Sequence, residues 1–97
     1  MQPDIIINVR FIPKSEGGRD GAVQGETYSC PLFVNGDGFD CRLLLNGRCL
    51  ELGEFYEVPV KFLYRDKAMP NMKPGLEIFL WEGRSVAQGI ITEVLNK

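Results

Sequence analysis

Apolar residues recur at every second position along most of the chain. In residues 4–11, Ile5, Ile7, Val9 and Phe11 fall on one face of an extended strand, and Asp4, Asn8 and Arg10 fall on the other. Pro13 ends this run, and a polar, glycine-rich stretch follows to about Glu26. In "TYSCPLFV", Tyr28, Cys30, Leu32 and Val34 alternate with Thr27, Ser29 and Pro31; Pro31 has no N–H for a ladder and marks an edge or a bulge. "NGDG" at 35–38 reads as a turn. Phe39, Cys41, Leu43 and Leu45 then alternate with Asp40 and Arg42. Asn46-Gly47, between "CRLLL" and "RCLEL", predicts a type I′ hairpin, because both residues accept positive φ.

The same period continues through Tyr56, Val58, Val60, Phe62 and Tyr64, with Glu57, Lys61 and Arg65 opposite and Pro59 predicting a bulge or an unpaired edge. "RDKAMPNMKPG" reads as a connection. "LEIFLWEG" is apolar on both faces, which predicts a strand buried on both sides or one crossing a barrel corner. A last strand covers about residues 85–95, with a bend or bulge at Gly89. No segment carries helical spacing. Six or seven short strands separated by turns predict an all-β fold, a small antiparallel barrel or sandwich, with residues 1–97 as a single domain. Its core is expected to contain Ile5, Ile7, Val9, Phe11, Leu43, Leu45, Val60, Phe62 and Ile78.

Composition narrows the function classes. The chain has 97 residues, 44% of them hydrophobic and 25% charged, as in an ordinary globular domain. No apolar run approaches the ~18 residues of a membrane span, and the N-terminus lacks the basic and apolar regions of a secretory signal. Cys30, Cys41 and Cys49 are an odd, sparse set without Cys-x-x-Cys spacing, which favours free, mostly buried thiols and a reducing, cytoplasmic setting. There is no histidine, so no zinc site and no histidine base are expected, and neither a metal nor another cofactor is implied. No nucleophile elbow, P-loop or dinucleotide fingerprint occurs, and the reading is non-enzymatic. The formal net charge of −2 gives no overall attraction to nucleic acid or anionic lipid.

Two Glu-Gly-Arg turns are the candidate binding elements. Glu16, Gly17, Gly18 and Arg19 form one; Glu82, Gly83, Arg84 and Ser85 form the other. Open backbone amides in such turns can approach a phosphate or carboxylate, and the two arginines can clamp it. The plainer reading is a pair of glycine turns whose arginines are solvated or paired to Glu16 and Glu82.

With the strands around them, these stretches resemble the C-terminal, third β-barrel of elongation factor Tu-type translation GTPases. That family carries Lys-x-Glu-Gly-Gly-Arg after a hydrophobic strand; here "VRFIPKSEGGR" supplies Lys14, Glu16, Gly17, Gly18 and Arg19. Near its end the family has a glycine-arginine turn, a strand and Val-Leu; here stands "FLWEGRSVAQGIITEVL", one glycine shorter. The resemblance covers roughly residues 4–95. It implies a barrel whose two turns belong to loops that bind aminoacyl-tRNA and contact partner proteins. The family usually follows Glu-Gly-Gly-Arg with histidine and threonine; here stand Asp20 and Gly21, and the added carboxylate opposes RNA. Without a GTPase domain before the barrel, GTP binding is not expected.

The resulting expectation is a non-catalytic binding module derived from or mimicking that barrel, with an unknown protein as partner. Exposed aromatics such as Tyr56 or Trp81, with an arginine at the rim, are expected to form its interface. An RNA-binding, translation-related module is the alternative, disfavoured by charge; a small enzyme of unknown type ranks third.

Overall fold

The computed structural model describes residues 2–95. Six of its strands close an antiparallel barrel: β1 (Ile5–Phe11), β3 (Thr27–Val34), β4 (Asp37–Leu44), β6 (Phe55–Phe62), β7 (Glu77–Trp81) and β8 (Ser85–Val94). Around the barrel they run β1-β6-β4-β3-β7-β8, and β8 pairs back onto β1. Two further short strands, β2 (Val23–Gln24) and β5 (Cys49–Leu50), pair with each other outside it.

The alternation seen in the sequence is the cause of this architecture. Ile5, Ile7, Val9 and Phe11 have no exposed surface, while the residues between them are half-exposed. Burying an aliphatic side chain of this size contributes about 1.5–3 kcal/mol, and a slip of one residue would turn the whole set outward. Leu43, Leu45, Val60, Phe62 and Ile78 join the same core, as the pattern predicts.

Turn chemistry sets the connections. Asn35 and Gly36 have φ of 50° and 84°, and Asn46 and Gly47 have 54° and 83°. Both pairs therefore have the positive φ values of a type I′ turn. The first joins β3 to β4 with eight pairs between them. The second does not make a hairpin. Beyond Asn46-Gly47 the chain pairs β5 with β2, while β4 pairs with β3 and β6. The turn is held from outside by Leu45 and Asn46 N–H groups donating to Glu26 O and Gly47 N–H donating to Gly25 O.

Pro31 and Pro59 lie in strands with neighbours on both sides. Each stands one residue past the end of one ladder: the β3–β7 pairing stops at Leu32–Leu80, and the β4–β6 pairing at Leu43–Val60. A missing N–H is tolerated at such a local edge. Gly89 marks a close crossing, since a Cβ there would lie 2.0 Å from Asn8 O. The nearby irregularity of the β1–β8 ladder falls between Ile6 and Ile7.

Four further expectations change. The connection after β6 holds a short helix, α1 (Arg65–Ala68), and a 3₁₀ turn over Met69–Asn71, and it buries Ala68 and Met72 in the barrel. β7 is buried on one face only: Ile78 and Leu80 point in, while Phe79 and Trp81 are 37% and 43% exposed. Cys49 is exposed, whereas Cys30 and Cys41 are buried; all three are free thiols. Asp4, expected on the outer face, is fully buried. It accepts hydrogen bonds from Phe62 N–H at 2.9 Å and Arg65 Nε at 2.8 Å, with Lys61 Nζ at 3.4 Å.

Candidate functional site

The two Glu-Gly-Arg turns, more than sixty residues apart in sequence, meet at one end of the barrel. Strand β1 delivers the first. After Phe11 the chain forms a 3₁₀ turn over Lys14–Glu16, capped by Gly17 at φ 90°. Gly18 then passes so close to the strand end that a Cβ would fall 1.8 Å from Ile12 O. No other residue fits there without moving backbone. Arg19 N–H donates back to Ile12 O at 2.9 Å. The β7–β8 connection delivers the second turn, with Gly83 at φ 72° and Glu82 N–H donating to Arg84 O at 2.8 Å. Ser85 opens β8 opposite Trp81.

The contact between the turns is an ion pair and a hydrogen bond. Arg19 Nη1 reaches Glu82 Oε2 at 2.5 Å, and Arg84 Nη1 reaches Gly18 O at 3.5 Å. Arg19 also donates from Nε to Gly21 O at 3.1 Å and from Nη1 to the Tyr28 hydroxyl at 3.3 Å. Its guanidinium carbon lies 5.3 Å from the centre of the Tyr28 ring. Glu16 does not pair with Arg19. It accepts both terminal nitrogens of Arg10, at 3.2 and 3.0 Å, and this bidentate bond holds the Glu16 carboxyl below its ordinary range. Lys14 pairs with Asp20 at 3.1 Å. Gly18, Arg19, Asp20, Gly21, Glu82, Arg84 and Val86 line an open groove of about 290 Å³.

This arrangement changes the chemistry that the two turns offer. The amides of Glu16, Gly17, Gly18 and Arg19 all donate to backbone carbonyls of residues 12–14. The first turn therefore presents no ready nest of N–H groups to an anion. Arg19 already holds a carboxylate, and Asp20 and Glu82 add negative charge to the groove. An incoming phosphate would have to displace Glu82 or work against it. Arg84 is the groove cation with the fewest bonds, and it is exposed.

A second surface adjoins this one. On the outer barrel wall, Phe33 of β3 pairs with Gly38 of β4 on one side and with Phe79 of β7 on the other. A Cβ on Gly38 would lie 2.9 Å from the Phe33 ring, so the ring covers that glycine. Trp81 tilts against Phe33 with ring centres 5.8 Å apart. Trp81 immediately precedes Glu82, so the aromatic wall runs into the rim of the groove. Outward faces of antiparallel sheets are usually polar, which makes this cluster unusual. Its sequence signal is the second apolar face of "LEIFLWEG", which fits equally a strand buried on both sides or one crossing a barrel corner. Tyr56 does not contribute as an exposed aromatic. It is half-buried, its hydroxyl accepts Glu51 N–H at 3.0 Å, and Arg48 lies 5.8 Å from its ring centre.

Among the described residues, no group of histidine, cysteine, aspartate and glutamate is arranged to hold a metal ion, and no helix is long and apolar enough to cross a membrane. No protein-family model matches this chain, and no curated protein matches it either.

Proposed function

We propose that the chain is a non-catalytic binding module with a protein partner, and that its interface is the outer wall of Phe33, Phe79 and Trp81 together with Arg84 at the groove rim. The aromatic cluster carries this reading. Large, half-exposed aromatic side chains supply the desolvation that dominates protein interfaces, and an arginine beside them is the usual polar complement. A small antiparallel six-stranded barrel is compatible with descent from, or mimicry of, the third domain of elongation factor Tu. In that reading the Glu-Gly-Arg turns keep their structural part, joining two ends of the chain, while the partner contact lies beside them. The internal use of the turn amides and of Arg19 supports a protein partner over RNA, because phosphate contacts depend on free cationic and N–H donors.

The test has two arms. Proteins that co-purify with the wild-type chain from its source cell are identified, and direct binding is then measured with Trp81→Ala, Phe79→Ser and Arg84→Glu. Loss of a central aromatic should weaken binding by about thirtyfold or more, the effect of a hot-spot residue. The second arm is filter binding with aminoacylated tRNA at physiological salt, where no saturable binding is expected. Tight tRNA binding that disappears in the Arg19→Glu, Arg84→Glu double variant would replace the protein reading with the RNA one.

A further inference from the structure

The outer wall of the barrel carries one row in which like charges stand side by side. Arg42 of β4 lies directly opposite Ser29 of β3 on one side and Lys61 of β6 on the other. Residues opposite each other in antiparallel strands share a face. Cys41 and Leu43 take the inner face of β4, so Arg42, Ser29 and Lys61 point outward. Like charges directly opposite are destabilising. Lys61 finds partial relief: its Nζ lies 3.4 Å from Asp4 Oδ1, an oxygen it shares with Arg65 Nε at 2.8 Å. Arg42 finds none. Among the described residues its guanidinium makes no ion pair and no hydrogen bond, and it is exposed. Asp40, the outward carboxylate one row away on β4, faces Pro31 and leaves Arg42 unpaired. The hydroxyl of exposed Ser29 is also unbonded among the described residues. Arg42, Lys61, Phe62 and Leu63 line a depression of about 200 Å³, and Leu63 at its rim is 58% exposed.

We infer that this row binds a phosphate monoester with an apolar organic part, the phosphate on Arg42 and Lys61 and the organic part on Leu63. Neighbouring strands lie about 4.8 Å apart, so the row from Ser29 to Lys61 spans about 10 Å. Side chains as long as arginine and lysine can bring their tips onto one tetrahedral anion within that span. The anion neutralises the opposition that the chain itself leaves standing. Donor number favours phosphate over carboxylate. Arg42 offers a planar fork, Lys61 keeps donors beyond the one on Asp4, and Ser29 adds a hydroxyl. Coming from three strands, these suit the three free oxygens of a phosphate monoester, which carries a charge of about −1.5 to −2 at pH 7. A carboxylate has fewer oxygens and a single charge. Arg65 adds positive charge on the far side of Lys61, and Asp40 opposes from the next row. Leu63 supplies apolar surface that an organic group covers and a bare phosphate leaves in water. The same chemistry comes from two sources, a free phosphate ester or a phosphorylated tyrosine side chain.

NMR titration of the full chain at constant ionic strength tests the site. Phenyl phosphate should move the amide signals of Ser29, Arg42, Lys61 and Leu63 saturably. Benzoate, with the same ring and one charge, should bind about tenfold more weakly or worse. Inorganic phosphate should move the Arg42 and Lys61 signals but bind more weakly than phenyl phosphate, and Leu63→Ser should erase that difference. Arg42→Gln should lower the affinity for phenyl phosphate by about tenfold or more. Its urea midpoint should stay at or above that of wild type, because the like-charge opposition is gone; an arginine with only a structural part would lower it. A short peptide with phosphotyrosine between glycines separates the sources. Tighter binding than phenyl phosphate assigns a phosphorylated side chain, and equal or weaker binding a free ester. Shifts that do not saturate, benzoate binding as tightly as phenyl phosphate, or Arg42→Gln binding like wild type overturns the inference.

Discussion

Removing the Asp4 carboxylate is the most informative single perturbation of this fold. Asp4 has no exposed surface, yet Arg65 and Lys61 beside it have side chains that are 36% and 30% exposed. Its backbone also joins two strands: its N–H donates to Val60 O at 2.8 Å, and its carbonyl accepts Leu95 N–H at 3.0 Å. In Asp4→Ala the two cations can rehydrate, but the Phe62 amide, buried and bonded to Asp4, loses its acceptor. An unsatisfied buried N–H costs about 1–3 kcal/mol, and loss of the charge-assisted bonds adds to it, so a cost of about 2–4 kcal/mol is expected. Asp4→Asn keeps an acceptor for Phe62 but no charge for Arg65, and should cost about half as much. Burial alone would raise the Asp4 pKa; the Phe62 N–H, Arg65 and Lys61 outweigh it and hold the pKa below the ordinary value. With the folded pKa depressed, the contribution is complete above the unfolded aspartate pKa of about 3.9 and is lost as pH falls through the lower folded value. Urea denaturation of wild type and Asp4→Asn from pH 7 downward measures this. The two curves should converge in acid. A difference that stays constant with pH would refute the argument, because the charge would then contribute nothing.

Other expectations test separate parts of the structure. Gly18→Ala should destabilise by about 2 kcal/mol or more, because its Cβ meets Ile12 O, whereas Gly21→Ala, with nothing within 4 Å, should be nearly neutral; denaturant midpoints compare them. Gly47→Val should cost on the order of 1 kcal/mol or more, since a β-branched residue resists φ of 83°, and an unchanged midpoint would show that the turn relaxes without strain. Thiol labelling of native protein should modify Cys49 rapidly and Cys30 and Cys41 only on unfolding; contact with Cys30, reinforced by burial, also pushes the Cys41 thiol well up. Rapid labelling of all three would show that the β3–β4 hairpin opens readily.

The strands were legible because a barrel wall imposes period two, and β1 obeys it from Ile5 to Phe11. Asp4 was misplaced by the same rule. It lies just before β1, where α1 brings Arg65 onto it, and parity says nothing about what a distant helix covers. Asn46-Gly47 announced its turn type correctly, since φ is a local property. Its strand partner was not legible, because Val23 and Gln24, in a stretch that reads as loop, capture β5. The two Glu-Gly-Arg turns were visible as motifs, and the structure brings them together. Which glutamate each arginine takes is decided across the barrel end, and no local spacing encodes it. Phe79 was hidden for another reason: an apolar outer face and a buried one look identical in sequence.

The pairing of β1 with β8 has a mechanical consequence. Asp4 and Leu95 lie just before β1 and just after β8, at the paired ends of two neighbouring antiparallel strands, and are linked by the Leu95 N–H bond to Asp4 O. Force applied through these two residues pulls across the ladder, not along it, and loads one rung at a time. The β1–β8 seam should peel like a zipper from that end, at far lower force than a geometry that shears every rung together. Tethering in a single-molecule pulling experiment at these ends, and alternatively at the Asn35–Gly36 turn and Leu95, would compare the two directions. Peeling from the paired ends should be the softer.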